Sequence, residues 1–146
     1  MAHVWHVDGW PTTERRPPSS RSAWFGLGLA LTCTGAYLVS LLLPYYANGL
    51  QGSTREELRA HELAETWPYG TAFDLPIALA GILGIAVGPF VAAGTSWWSA
   101  RVLWVHHGQL PPRARAVVVS TMLVSVATLA WLPTPLAGRL FSWFVD

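Results

Sequence analysis

From Leu75 to Trp98 the chain reads LPIALAGILGIAVGPFVAAGTSWW, without one ionisable side chain. Two further runs, Ala23 to Leu43 and Ala116 to Leu132, carry no charge either. A helix rising about 1.5 Å per residue needs roughly 20 apolar residues to cover the hydrocarbon core of a bilayer. Backbone in lipid must satisfy its own hydrogen bonds, so such runs are helices. The third run is the shortest. Its helix starts near Pro112 if the arginine stems reach back to the interface. Pro133 and Pro135 end it, each lacking an amide proton and crowding the preceding turn, and LAGRLFSWFV is too short to cross again.

The expected fold is therefore all-α and integral to a membrane, with three transmembrane helices over about 23–45, 74–100 and 113–132. A flexible tail (1–22) precedes a single membrane domain (23–146), which has an outer loop (46–73) holding one short helix, an inner turn (101–112) and an outer interfacial tail (133–146). Arg15, Arg16 and Arg21 precede the first run as in a secretory signal, but the run exceeds an h-region of about 7–15 residues and no A-x-A-like site follows. It is expected to be retained.

Composition agrees. The chain is 52% hydrophobic and 12% charged, with a mean hydropathy of +0.35, against about 25% charged in a soluble domain. A net charge of +1, with arginines only beside apolar runs, argues against a nucleic-acid partner. Cys33 is the sole cysteine, which excludes an intrachain disulfide and a cysteine metal cage. All nine basic residues are arginine, a usage that suggests a G+C-rich bacterial genome and hence a bacterial plasma membrane.

Basic residues set orientation. Arg15, Arg16, Arg21, Arg101, Arg113 and Arg115 fall on one side, and Arg55, Arg59 and Arg139 on the other. The N-terminus is expected to be cytoplasmic and the C-terminus extracytoplasmic. Aromatic belts are expected at both interfaces: Trp24, Trp97, Trp98 and Trp104 inside, and Tyr45, Tyr46, Trp67, Tyr69, Trp131 and Trp143 outside.

Candidate ligands are few. His106 and His107 lie at the inner turn, where histidine suits a helix C-terminus and Gly108 can cap it. Neighbouring residues on a helix point about 100° apart, so the pair cannot serve one metal or haem without unwinding. A haem or quinone contact there is the alternative to a solvated turn touching lipid heads.

In the outer loop STREELRAHELAETWP offers capping boxes at Ser53/Glu56 and Thr54/Glu57, and Pro68 closes the segment. A helix of about eleven residues would align Glu57, His61 and Glu65 in one row, beside Glu62, as donors for a divalent cation. The same row equally describes a solvated face, and it is not the HExxH zinc motif. His3, His6 and Asp8 lie in a tail rich in Pro, Ser and Arg, where order is not expected.

Packing leaves a clearer trace. Ala80, Gly84 and Gly88 recur every four residues, with Gly81 beside them, and small residues allow the close backbone approach that drives helix association in lipid. Thr121, Ser125 and Thr128 form a hydroxyl row suited to interhelical hydrogen bonds, and the first span offers the small residues Gly28, Thr32, Gly35 and Ala36. Pro89 predicts a kink. No motif pairs a nucleophile with a base, and the apolar runs hold no acid, base or cation for a proton or ion path. Asp74 opens the second span, where a carboxylate suits a helix N-terminus. The chain is therefore expected to be non-catalytic and without a cofactor of its own: an accessory or assembly subunit whose partners are the lipid bilayer and other membrane subunits. A haem or quinone anchor and an extracytoplasmic sensor are the alternatives.

Overall fold

The computed structural model describes residues 19–61, 63–106 and 108–145. Every regular element among them is a helix, and two or three helices are long and apolar enough to cross a membrane. α1 (Ser20–Tyr37) passes through a π turn (Leu38–Leu42) into α2 (Leu43–Ala47). α3 (Arg55–Ala60) stands in the following loop between 3-10 turns at Leu50–Gly52 and Leu63–Glu65. Then come α4 (Asp74–Ala86), α5 (Gly88–His106), α6 (Pro112–Trp131) and α7 (Pro135–Val145).

Prolines explain where the long helices deviate. The residue at position 44 would donate its amide to the Ser40 carbonyl, but Pro44 has none, and its ring presses on that carbonyl. The helix widens into the π turn there, and the Tyr69 hydroxyl, from the loop, donates to the orphaned Ser40 oxygen at 2.6 Å. Pro89 likewise offers no donor to Ile85, and α4 and α5 meet at a 51° bend around Val87. The kink expected at Pro89 is thus a full break. Pro135 begins α7, whose N-cap is Thr134, its Oγ1 accepting from Ala137 N at 3.2 Å. Residues 135–145 do not continue the third span; they form a separate helix folded back against the π turn and α3.

α1, α5 and α6 make the bundle, with α6 packed on both others and α4 leaning mainly on α1. Two apolar cores result. At the loop end Tyr37, Leu41, Tyr45, Leu50, Leu58, Leu140 and Trp143 are buried together. At the other end, which carries Arg101, Arg113 and Arg115 and is called the basic end below, the core is Ala23, Val102, Leu110, Ala114, Val117 and Val118. The two aromatic belts are therefore unequal. Trp24, Trp97 and Trp104 stand outward at the basic end, whereas Tyr45, Tyr69 and Trp143, expected at an outer interface, are buried beneath the loop.

Candidate functional site

Gly84 is the tightest packing point between α1 and α4: a Cβ added there would meet the Tyr37 backbone nitrogen at 3.1 Å. At Gly81 it would run into the Phe144 ring at 2.6 Å and Ser40 Cβ at 3.1 Å. Gly88 behaves differently, with nothing within 4 Å of an added Cβ. The expected row of Ala80, Gly84 and Gly88 is interrupted because the bend lies between the last two. The contact face runs through Gly81 and Gly84 instead, with Ala80 half-buried.

The hydroxyl row divides its work. Thr121 turns back to its own helix, donating to Val117 O at 2.9 Å. Thr128 donates to Val124 O, so in its 2.9 Å contact with the Thr34 hydroxyl the proton comes from Thr34. By the same logic Thr95 donates to Val91 O, and Ser125 donates to Thr95 across 2.7 Å. These two relays tie α6 to α1 and to α5. Thr34 and Thr95 were not among the sequence candidates; each lies where a hydroxyl interrupts an otherwise apolar run, the one signal that marks them.

Beside the Thr34–Thr128 relay the bend leaves a cleft of about 460 Å³. Gly84, Gly88 and Pro89 form one wall, Cys33, Thr34 and Tyr37 of α1 a second, and Val124, Thr128 and Trp131 of α6 the third. Trp131 Nε1 donates to the Tyr37 hydroxyl at 3.3 Å. The size and the dominance of apolar walls with a few polar groups match small-molecule sites, which run to roughly 300–1,000 Å³.

The outward side of α5 is the second notable surface. Phe90, Trp97 and Trp104 follow one another at seven-residue intervals and are 77%, 73% and 88% exposed. Seven residues advance a helix by two turns less about 20°, so the three form one stripe, its members about 10 Å apart. Ala93, Gly94 and Ala100 lie between them. A groove of about 450 Å³ runs between Trp97 and Trp104 over Ala100 and beside Arg101.

The loop does not form the expected ligand row. Thr54 caps α3, accepting from Glu57 N at 3.3 Å, while the Glu57 carboxylate accepts from Thr54 N at 2.7 Å, so the second of the two possible capping boxes is the one used. These hydrogen bonds, with a lesser contribution from nearby His61, hold the Glu57 carboxyl below its usual range. The helix then stops after Ala60. His61 has extended backbone (φ −81°, ψ 109°), and its Nδ1 donates to Glu57 O at 2.9 Å, taking the carbonyl that a further turn would have used. The His61 carbonyl in turn accepts from Trp143 Nε1 at 3.3 Å. Glu65 follows in a separate 3-10 turn, and among the described residues no three His, Cys, Asp or Glu side chains gather as a metal would need. Glu62, His3, His6 and Asp8 lie outside the described residues.

His106 is the last residue of α5, where its carbonyl accepts from Gln109 N at 2.9 Å and Leu110 N at 3.2 Å. Its Nδ1 stands 3.4 Å from Gln109 Oε1, a long contact within the turn. His107 lies outside the described residues. No family model, curated protein or solved structure matches the chain.

Proposed function

We propose that this chain is a multi-pass protein of a bacterial plasma membrane, N-terminus inside, acting as a non-catalytic accessory or assembly subunit that docks on a larger membrane complex through the outward side of α5. In this reading the bent α4–α5 pair forms one of three spans, and the arginine distribution sets the orientation. The carrying observation is the stripe of Phe90, Trp97 and Trp104 with small residues in its gaps. Large side chains on a heptad spacing with notches between them suit interdigitation with a second helix, and small residues let backbones approach. Lipid tails ask for no such spacing. The indole N–H of Trp97 has no acceptor among the described residues, so a partner's carbonyl or hydroxyl can take it without displacing a bond of the fold.

The test is co-purification from the native membrane in mild detergent. Trp97→Ala with Trp104→Ala should release a stoichiometric membrane partner that Leu75→Ala with Leu79→Ala, equally apolar and exposed on α4, retains. Equal retention by both double variants, or recovery of the parent chain alone, would overturn the docking role.

A further inference from the structure

Among its hydroxyl and indole groups, the cleft at the helix break has one unspent hydrogen-bond donor. The other hydroxyl and indole hydrogens along its walls can be followed to acceptors: Thr34 to Thr128, Thr128 to Val124 O and the Trp131 indole to the Tyr37 oxygen, while the Cys33 thiol is a weak donor. The Tyr37 hydroxyl is left holding a proton that no described residue accepts, on a side chain only 8% exposed. A buried donor without an acceptor is costly, more so beside lipid, where water does not substitute. No charged group lines the cleft.

Position narrows what can supply the acceptor. Tyr37 belongs to the loop-end core, and its hydroxyl meets Trp131, the last residue of α6, so the phenol lies toward the loop end of the cleft. Under the membrane placement proposed above, the cleft lies among the spans, so its occupant is lipophilic. An acyl chain would fill the volume and leave the phenol unsatisfied. We infer that the cleft binds a neutral lipophilic carbonyl compound, its oxygen accepting from Tyr37 and its apolar frame lying between Gly88, Val124 and Trp131. Quinone rings and long-chain ketones share this chemistry. The site is separate from the outward side of α5, so its failure and that of the docking role are distinguishable.

The full chain in detergent would be titrated with decylbenzoquinone, 2-undecanone and decylbenzene, each followed by the rise in unfolding temperature as ligand saturates the native state. The carbonyl compounds should bind more tightly than decylbenzene. Tyr37→Phe should weaken them about five- to tenfold, the worth of one hydrogen bond, and leave decylbenzene unchanged, which also reports that the variant is folded. Gly88→Leu, placing a side chain in the open space of the cleft, should abolish binding of all three. A preference for the quinone or for the ketone would tell the two sources apart, and either supports the carbonyl chemistry. Equal binding of all three by the parent, unchanged carbonyl affinity in Tyr37→Phe, or full binding in Gly88→Leu would overturn the inference.

Discussion

The two ends of the bundle solve opposite problems. The loop end must join two helices disturbed by Pro44 and Pro89 to an irregular segment, and it does so with large aromatic side chains and polar ties. Asn48 is the centre of those ties: its Nδ2 donates to Pro44 O at 2.8 Å and Trp67 O at 2.7 Å, while Oδ1 accepts from Trp67 N at 3.1 Å. At the basic end the α5–α6 turn is short, and Ala23, Ala114 and Ser99 let the helices close on one another, with Trp98 packed against that core. The contrast shows in where tryptophan and tyrosine go. At the loop end Tyr37, Tyr45, Tyr69 and Trp143 are buried while Tyr46 and Trp67 stay exposed, and at the basic end Trp98 packs on the core while Trp24, Trp97 and Trp104 face outward. Outward aromatics at an end that does not need them for its own core are the physical basis of the docking proposal.

The comparison breaks first at the aromatic core. Leu140→Ala, at a side chain with no exposed surface, should cost about 2–5 kcal/mol, whereas Val118→Ala in the small-residue core should cost about 1–2 kcal/mol; thermal unfolding in detergent measures both. Equal losses would mean that the two cores carry similar weight. Next, Gly84→Ile should cost about 1–3 kcal/mol by prising α4 from the Tyr37 backbone, while Gly88→Ile, a position with open space, should stay within about 0.5 kcal/mol of the parent.

Tyr69→Phe removes the donor to Ser40 O and should cost about 1–2 kcal/mol. Burial, helped by the Asp74 carboxylate, pushes the Tyr69 hydroxyl up from 10.0 to about 12. Because the neutral phenol is the form the fold prefers, its contribution is whole below pH 10 and is lost as pH rises toward 12, so base titration should loosen the loop in the parent before it does so in Tyr69→Phe. A smaller effect is expected at α3, where Thr54→Ala should cost about 1 kcal/mol of local helix stability, read by limited proteolysis of the loop. Glu57, held below its ordinary 4.5, supports that cap above pH 4.5 and ceases to as pH falls through its lowered value. Smallest of all, Ser99 Oγ is buried without a partner, so Ser99→Ala should be neutral or stabilising by less than about 1 kcal/mol, the opposite sign to Ser125→Ala, which severs a relay.

The helical character and the rough extents of the long helices were legible because uncharged runs of that length leave few options, and the capping box at Thr54 followed from local spacing alone. What periodicity could not show was tertiary substitution of backbone hydrogen bonds. Pro44 directly follows the apolar run that ends at Leu43, inside the expected span, and the Tyr69 hydroxyl arriving from the loop takes up the Ser40 carbonyl at its π turn. The row of Glu57, His61 and Glu65 assumed a continued helix, whereas His61 ends it with its own ring and Trp143 holds the exit. Gly88 belongs to the same row as Gly84 on paper, but a 51° bend separates them. The cleft had no sequence signature, since it is the space that bend leaves.

Trp143 follows His61 by 82 positions, and the contact between them sets a schedule as well as a shape. A chain made from its N-terminus has α1, the loop and α6 in existence before α7 emerges. Until then Tyr69 and Leu58 have no Phe144, Leu140 or Trp143 to rest against, so the loop end is completed only when α7 has been made, and the basic end, closed by the neighbouring helices α5 and α6, is ready first.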